Sequence, residues 1–107
     1  MFARMLEFTP KMEKKDEFVK IVKAEVLPLL KKQPGFLEIL PLLPEAKNEK
    51  MITISLWSEK RDVERYERDT FRKVEEILKP FLLTPITVRP YMVETALCEH
   101  FVNALAA

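Results

Sequence analysis

A ferredoxin-like α+β sandwich, an antiparallel four-stranded sheet with two helices on one face, is the fold class this sequence predicts. Two observations lead there. The hydrophobic period switches in the order strand, helix, strand, strand, helix, strand, which is the split βαβ pattern, βαββαβ. Prolines fall within the second and fourth of the strands, at Pro41 and Pro90. In the usual order of that fold those two strands are the edges, where a missing backbone N–H breaks least of the ladder.

The elements follow in chain order. Met1 to Phe8 alternates, with Phe2, Arg4, Leu6 and Phe8 on one side and Ala3, Met5 and Glu7 on the other, as a central strand does. Thr9 and Pro10 then read as a cap and first helical position. Phe18, Ile21, Val22, Val26, Leu29 and Leu30 recur at helical spacing, with Lys14, Lys15, Lys20, Lys23 and Glu25 opposite them. Pro28 interrupts that pattern, removing a donor and crowding the carbonyl of Ala24, so the last turn should kink or loosen before Gln33.

Pro34 and Gly35 make a turn into a second strand, Phe36 to Leu43. A polar loop from Glu45 to Lys50 leads to the third strand, Met51 to Trp57. There Ile52, Ile54 and Leu56 read as the core face, and Met51, Thr53, Ser55 and Trp57 as a face that can line a pocket. Ser58 is a cap candidate for the next helix, which carries Val63, Tyr66, Thr70, Val74, Ile77, Leu78 and Phe81. Asp69 and Thr70 cap well themselves, so one helix and two helices meeting at a kink are both consistent with the pattern. The fourth strand runs from Ile86 toward Cys98, closing a domain of residues 1–98. The tail 99–107 is too short to be stable alone and reads as a short helix or an arm packing on a dimer partner.

Composition excludes several chemistries. Lys plus Arg at 18 nearly cancels Asp plus Glu at 17, so the basic excess of a nucleic-acid binder is missing. One glycine, Gly35, cannot build a phosphate-cradling loop or a dinucleotide fingerprint. One cysteine and one histidine leave no disulfide pair and no multi-histidine metal set. With no cleavable leader pattern and no apolar run of about 20 residues, the expectation is a cytoplasmic protein that engages no membrane and needs no cofactor.

Pro34-Gly35-Phe36 ahead of a strand, then a strand ending in Trp57-Ser58 ahead of a helix carrying Tyr66, resembles the antibiotic biosynthesis monooxygenase-like family of dimeric α/β barrels, over about residues 1–95. The resemblance implies a homodimer packed sheet against sheet, with a pocket in each protomer between its own sheet and helices. It also implies a spread of activities, from cofactor-independent oxygenases of aromatic polyketides and quinols, through haem-degrading enzymes, to members with no known activity. The polyketide oxygenases place an asparagine four residues before the strand-end tryptophan, and Thr53 stands there instead. The haem-degrading branch uses an asparagine in the first strand and a histidine in the second helix. This first strand has no asparagine, and Val74 and Glu75 stand where the histidine would be, so haem degradation does not carry over.

The candidate site residues are therefore Trp57 and Tyr66 as catalytic groups, with Arg4 and Thr53 binding substrate and no metal. Each has a plainer reading. Trp57 can pack under a helix with its N–H on an acceptor, and Tyr66 can pack by its ring with a wet hydroxyl. Arg4 can pair with a carboxylate, for which Glu94 is a candidate. Cys98 and His100 are neighbours on a strand rather than a nucleophile and base, and the charges from Glu59 to Asp69 read as a solvated helix face. The function expected is a cofactor-independent monooxygenase acting on a phenolic, quinol or polyketide-like small aromatic molecule. The alternative is a non-enzymatic dimeric small-molecule-binding or stress-related protein on the same fold, since fold does not fix function.

Overall fold

The computed structural model describes residues 1–46 and 49–98. Strands β1 (Phe2–Phe8), β2 (Phe36–Leu42), β3 (Met51–Trp57) and β4 (Thr87–Met92) form one antiparallel sheet in the order β2-β3-β1-β4. The prolines sit on the edges as expected, Pro41 opposite Thr53 and Pro90 opposite Arg4. The helical layer covers one face of the sheet, which makes the chain a split βαβ sandwich. Among the described residues, no helix is long and apolar enough to cross a membrane.

The first helical arm starts later than Thr9-Pro10 implied. Pro10 is held in a bridge to Leu82, Lys11 N–H donates to the Phe81 carbonyl, and a 3-10 turn at Met12–Lys14 leads into α1 (Lys15–Ile21). A π-helical turn, Val22–Val26, then leads into α2 (Leu27–Lys31). Pro28 accounts for that turn. It cannot donate to Ala24 and its ring crowds that carbonyl, and the conflict is relieved when Leu27 N–H bonds back five residues to Val22. The loosening expected in the last turn thus lies one turn earlier, and the helix continues past the proline.

Gly35 takes φ +80, where its missing Cβ leaves room for the Asp62 carboxylate, and its carbonyl accepts from Ser58 N–H at 2.8 Å. Ser58 is not the cap: Glu59 holds that place, with no side-chain bond, and α3 runs Lys60–Asp69. The chain breaks at Thr70 and restarts as α4 (Phe71–Leu78), so two helices meet there rather than one passing through. Beyond β4, which stops at Met92, a 3-10 turn occupies Thr95–Leu97. The tail 99–107, with His100, lies outside the described residues, as do Lys47 and Asn48.

Cross-strand register decides which face is core. Phe2 opposes Trp57, Arg4 opposes Ser55, Leu6 opposes Thr53 and Phe8 opposes Met51, all toward the helices. This reverses the parity expected for β3. Met51 and Trp57 belong to the core, while Ile52 and Ile54 lie half-buried on the helix-free face. Both faces of a central strand in this sheet are apolar, so hydrophobicity alone does not choose between them.

Candidate functional site

At the Phe2 end of the sheet, aromatic side chains close the space between the layers. Trp57, at the end of β3, has no exposed surface. Its indole N–H donates to Ser55 Oγ at 2.9 Å, which the two-residue spacing on one strand face makes possible. Its ring lies 5.4 Å from Phe36 and 5.0 Å from Tyr66 of α3, and Tyr66 lies 5.9 Å from Phe71 of α4. Aromatic pairs at such separations contribute about 0.5–1.5 kcal/mol each beyond their burial.

Arg4 is the unusual member of this cluster. It points inward from β1, only 2% exposed, with its guanidinium carbon 4.0 Å from the Phe71 ring centre and 5.1 Å from that of Tyr66. Burying an unpaired cation costs several kcal/mol, and desolvated cation–π contacts return about 2. The balance comes from Glu67 of α3, whose Oε1 accepts from Arg4 Nε at 2.8 Å while its own side chain stays 42% exposed. The partner carboxylate therefore comes from a helix and not from Glu94. The contact is single-pronged, and Arg4 Nη2 is buried with no hydrogen-bond partner.

Toward the Phe8 end the same interlayer space is hollow. A cavity of about 450 Å3 lies between the sheet and the helices, within the size range of small-molecule sites. Its sheet wall carries Arg4, Thr53 and Ser55, and its helical wall carries Val22 and Val26 of the π turn, Tyr66 and Val74. The exposed side chains Val19, Lys23 and Leu43 line it as well and form its rim. The walls are otherwise aliphatic and aromatic, so the polar groups are few and, apart from Tyr66 and the rim Lys23, belong to the sheet wall.

Tyr66 joins the two regions, since it packs in the aromatic cluster and lines the cavity. Burial pushes its hydroxyl up to about 12, against an opposing pull from Arg4 and with help from Glu67 and Glu75. At neutral pH it is protonated and can donate a hydrogen bond, but it cannot serve as a base.

Of the four expected site residues, the structure brings Arg4, Thr53 and Tyr66 onto one cavity. Trp57 is not on the cavity wall and stands behind Tyr66. Sequence reasoning named neither Glu67 nor Phe71 for this site. Glu67 directly follows Tyr66, but nothing in its spacing marks it off from the other charges of α3. Phe71 is masked because the break at Thr70 resets the helical phase.

The family model for antibiotic biosynthesis monooxygenases matches residues 1–74. No curated protein matches the chain. Among solved structures, a variant of SnoaB, a cofactor-independent oxygenase from Streptomyces nogalater, superposes with a TM-score of 0.72 at 17% identity, covering 87% of this chain and 92% of its own. The monooxygenase ActVA-Orf6 of Streptomyces coelicolor, solved with the ligand nanaomycin D, gives 0.71 at 15% identity, with 87% of each chain covered. A conserved protein from Methanosarcina mazei Go1 gives 0.70 at 19% identity, covering 88% of this chain and 94% of its own. At these identities the superpositions speak for the fold, while the family match spans more than two-thirds of the sequence, and the chain belongs to the antibiotic biosynthesis monooxygenase family.

Proposed function

We propose that this protein is a cofactor-independent monooxygenase whose substrate is an electron-rich phenol, quinol or polyketide-like aromatic bound in the interlayer cavity. The observation that carries the reading is the cavity itself: largely apolar walls, with Arg4, Thr53 and Ser55 on the sheet side and Tyr66 on the helical side. Family membership and the two oxygenases of the same fold support it.

The chemistry asks little of the protein. An ionised phenol bearing an activated methylene gives one electron to dioxygen. The methylene gives up one C–H proton, its carbon couples with superoxide, that proton completes the hydroperoxide, and loss of water with the second C–H hydrogen breaks the O–O bond. In sum, one methylene and one dioxygen become one ketone carbonyl and one water, with all four electrons from the substrate. The protein supplies desolvation and orientation, which together are worth several kcal/mol of barrier. Tyr66 gives a neutral hydrogen-bond donor, Thr53 and Arg4 give polar contacts to substrate, and Trp57 holds the Tyr66 ring from behind as a positioning residue.

The functional unit in this reading is a homodimer. The helix-free face of the sheet presents Met5, Ile52 and Ile54 half-buried beside exposed Leu40, Leu42 and Tyr91, a surface that calls for cover. Sedimentation at micromolar concentration should show the dimer, and a stable monomer would remove it. A non-enzymatic binder on the same scaffold is favoured by one observation, Thr53 in place of the asparagine that the polyketide oxygenases carry. Turnover separates the two. Tyr66→Phe should slow oxygen uptake at least about tenfold with the fold intact, the loss of one hydrogen bond at a reacting group. Unchanged uptake would remove Tyr66 from the site.

A further inference from the structure

We propose that Arg4 makes this cavity a phenolate site: the protein takes up its aromatic ligand as the oxyanion, held by the free end of the Arg4 guanidinium. The inference rests on the phenolic reading of the substrate and adds the residue that makes the bound form the anion.

Three features carry it. Arg4 lines the cavity, is almost wholly buried, and keeps Nη2 without a hydrogen-bond partner. A cation held so far from water with unmade donor bonds is stabilised by any anionic acceptor that reaches it. Its one ion pair is asymmetric, since Glu67 takes only Nε and its side chain remains 42% exposed. The remaining geometry suits a single oxygen better than a carboxylate. Glu67 already holds one prong of the guanidinium edge, while the neighbouring Ser55 hydroxyl, which accepts from the Trp57 indole N–H, keeps its own O–H to donate. A flat apolar body then fits against the Val22, Val26 and Val74 side chains, with its oxygen toward Arg4 and the neutral Tyr66 hydroxyl as another donor.

The charged groups around the site give the sign. Arg4 and, at the rim, Lys23 favour the anion. Glu67 and Glu75 oppose it, both on the solvent side of the helical layer, and Tyr66 is neutral. The nearest and least hydrated of these is Arg4, so the net effect is to lower the ligand's pKa and to replace a general base in ionising it.

A chromogenic phenol reads this directly. 4-Nitrophenol, which turns yellow on ionising, is titrated with pH in the presence of saturating protein. Its apparent pKa should fall by about one unit or more, a tenfold or greater preference for the anion. Arg4→Lys should keep most of the shift and Arg4→Met should abolish it. Glu67→Gln keeps an amide oxygen that accepts from Arg4 Nε, so it should fold with a lowered melting temperature, and it should enlarge the shift because it removes the opposing carboxylate charge. That variant decides the matter if Arg4→Met does not fold. Overturning results are no binding at millimolar 4-nitrophenol, binding without a shift, a shift retained in Arg4→Met, or a shift that Glu67→Gln leaves unchanged or diminishes. Oxygen uptake is not part of the readout. A protein that ionises 4-nitrophenol and oxidises nothing refutes the monooxygenase and leaves the phenolate site standing, while one that oxidises quinols without the shift does the reverse.

Discussion

The space between sheet and helices has a packed end and a hollow end, and the two are built from the same strands. Where Phe2 opposes Trp57, four aromatic rings and the Arg4 guanidinium fill the gap. Where Leu6 and Phe8 oppose Thr53 and Met51, aliphatic side chains from the π turn stand back and leave a cavity of about 450 Å3. The contrast separates residues that pack the interlayer space from residues that line its cavity. Tyr66 and Arg4, at the boundary, belong to both.

Substitution at the packed end should therefore have the largest effect on stability. Trp57→Ala should cost about 3–5 kcal/mol, the range for removing a large buried aromatic, measured by urea unfolding. A loss below about 1 kcal/mol would mean that the cluster is not the anchor described here.

The boundary should report through pH. Tyr66 is neutral in the fold to about pH 12, whereas an unfolded tyrosine ionises near 10. Between those values the unfolded chain binds fewer protons than the native one, so stability falls as pH rises. The contribution is fully present below pH 10, and about 2–3 kcal/mol of it is lost by pH 12. Alkaline unfolding followed by circular dichroism should show this loss in the parent protein and a smaller one in Tyr66→Phe.

The opposite face of the sheet offers a third comparison. Ile54→Asp should weaken self-association at least about tenfold, since it sets an unpaired charge in the proposed contact face. Sedimentation equilibrium is the check, and unfolding of the variant instead of dissociation would return Ile54 to the core. At the cavity rim the effects should be smallest. Val19→Ala and Lys23→Ala should each change stability by no more than about 0.5 kcal/mol in the same urea assay, because both side chains are exposed.

Strand order and edges were legible in the sequence because their signals are local. Alternation marks a strand, and Pro41 and Pro90 mark edges whatever the rest of the chain does. The facing of β3 was not. Ile52, Ile54 and Leu56 outrank Met51, Thr53 and Ser55 in hydrophobicity, and only pairing with Arg4, Leu6 and Phe8 turns the latter set toward the helices. The site was half legible for the same reason. Strand parity could place Arg4 and Thr53 on a face but could not name the Glu67 carboxylate, which reaches Arg4 across 63 positions of chain. The sheet wall of the hollow was legible, since Met51, Thr53 and Ser55 line it as their shared face suggested, but its helical wall was not, because valines that pack and valines that stand back read alike.

The central claim is that the hollow end performs oxygen chemistry without a cofactor. The most direct measurement is dioxygen consumption by the purified protein with a panel of phenols, quinols and anthrone-like aromatics, with no metal, flavin or nicotinamide added. Saturable uptake above the protein-free rate for at least one compound, with one oxygen atom incorporated into the product per dioxygen consumed, is the result expected. No uptake across the panel, while one of the same compounds raises the melting temperature, would contradict it and identify a binder, since binding to the native state alone produces that rise.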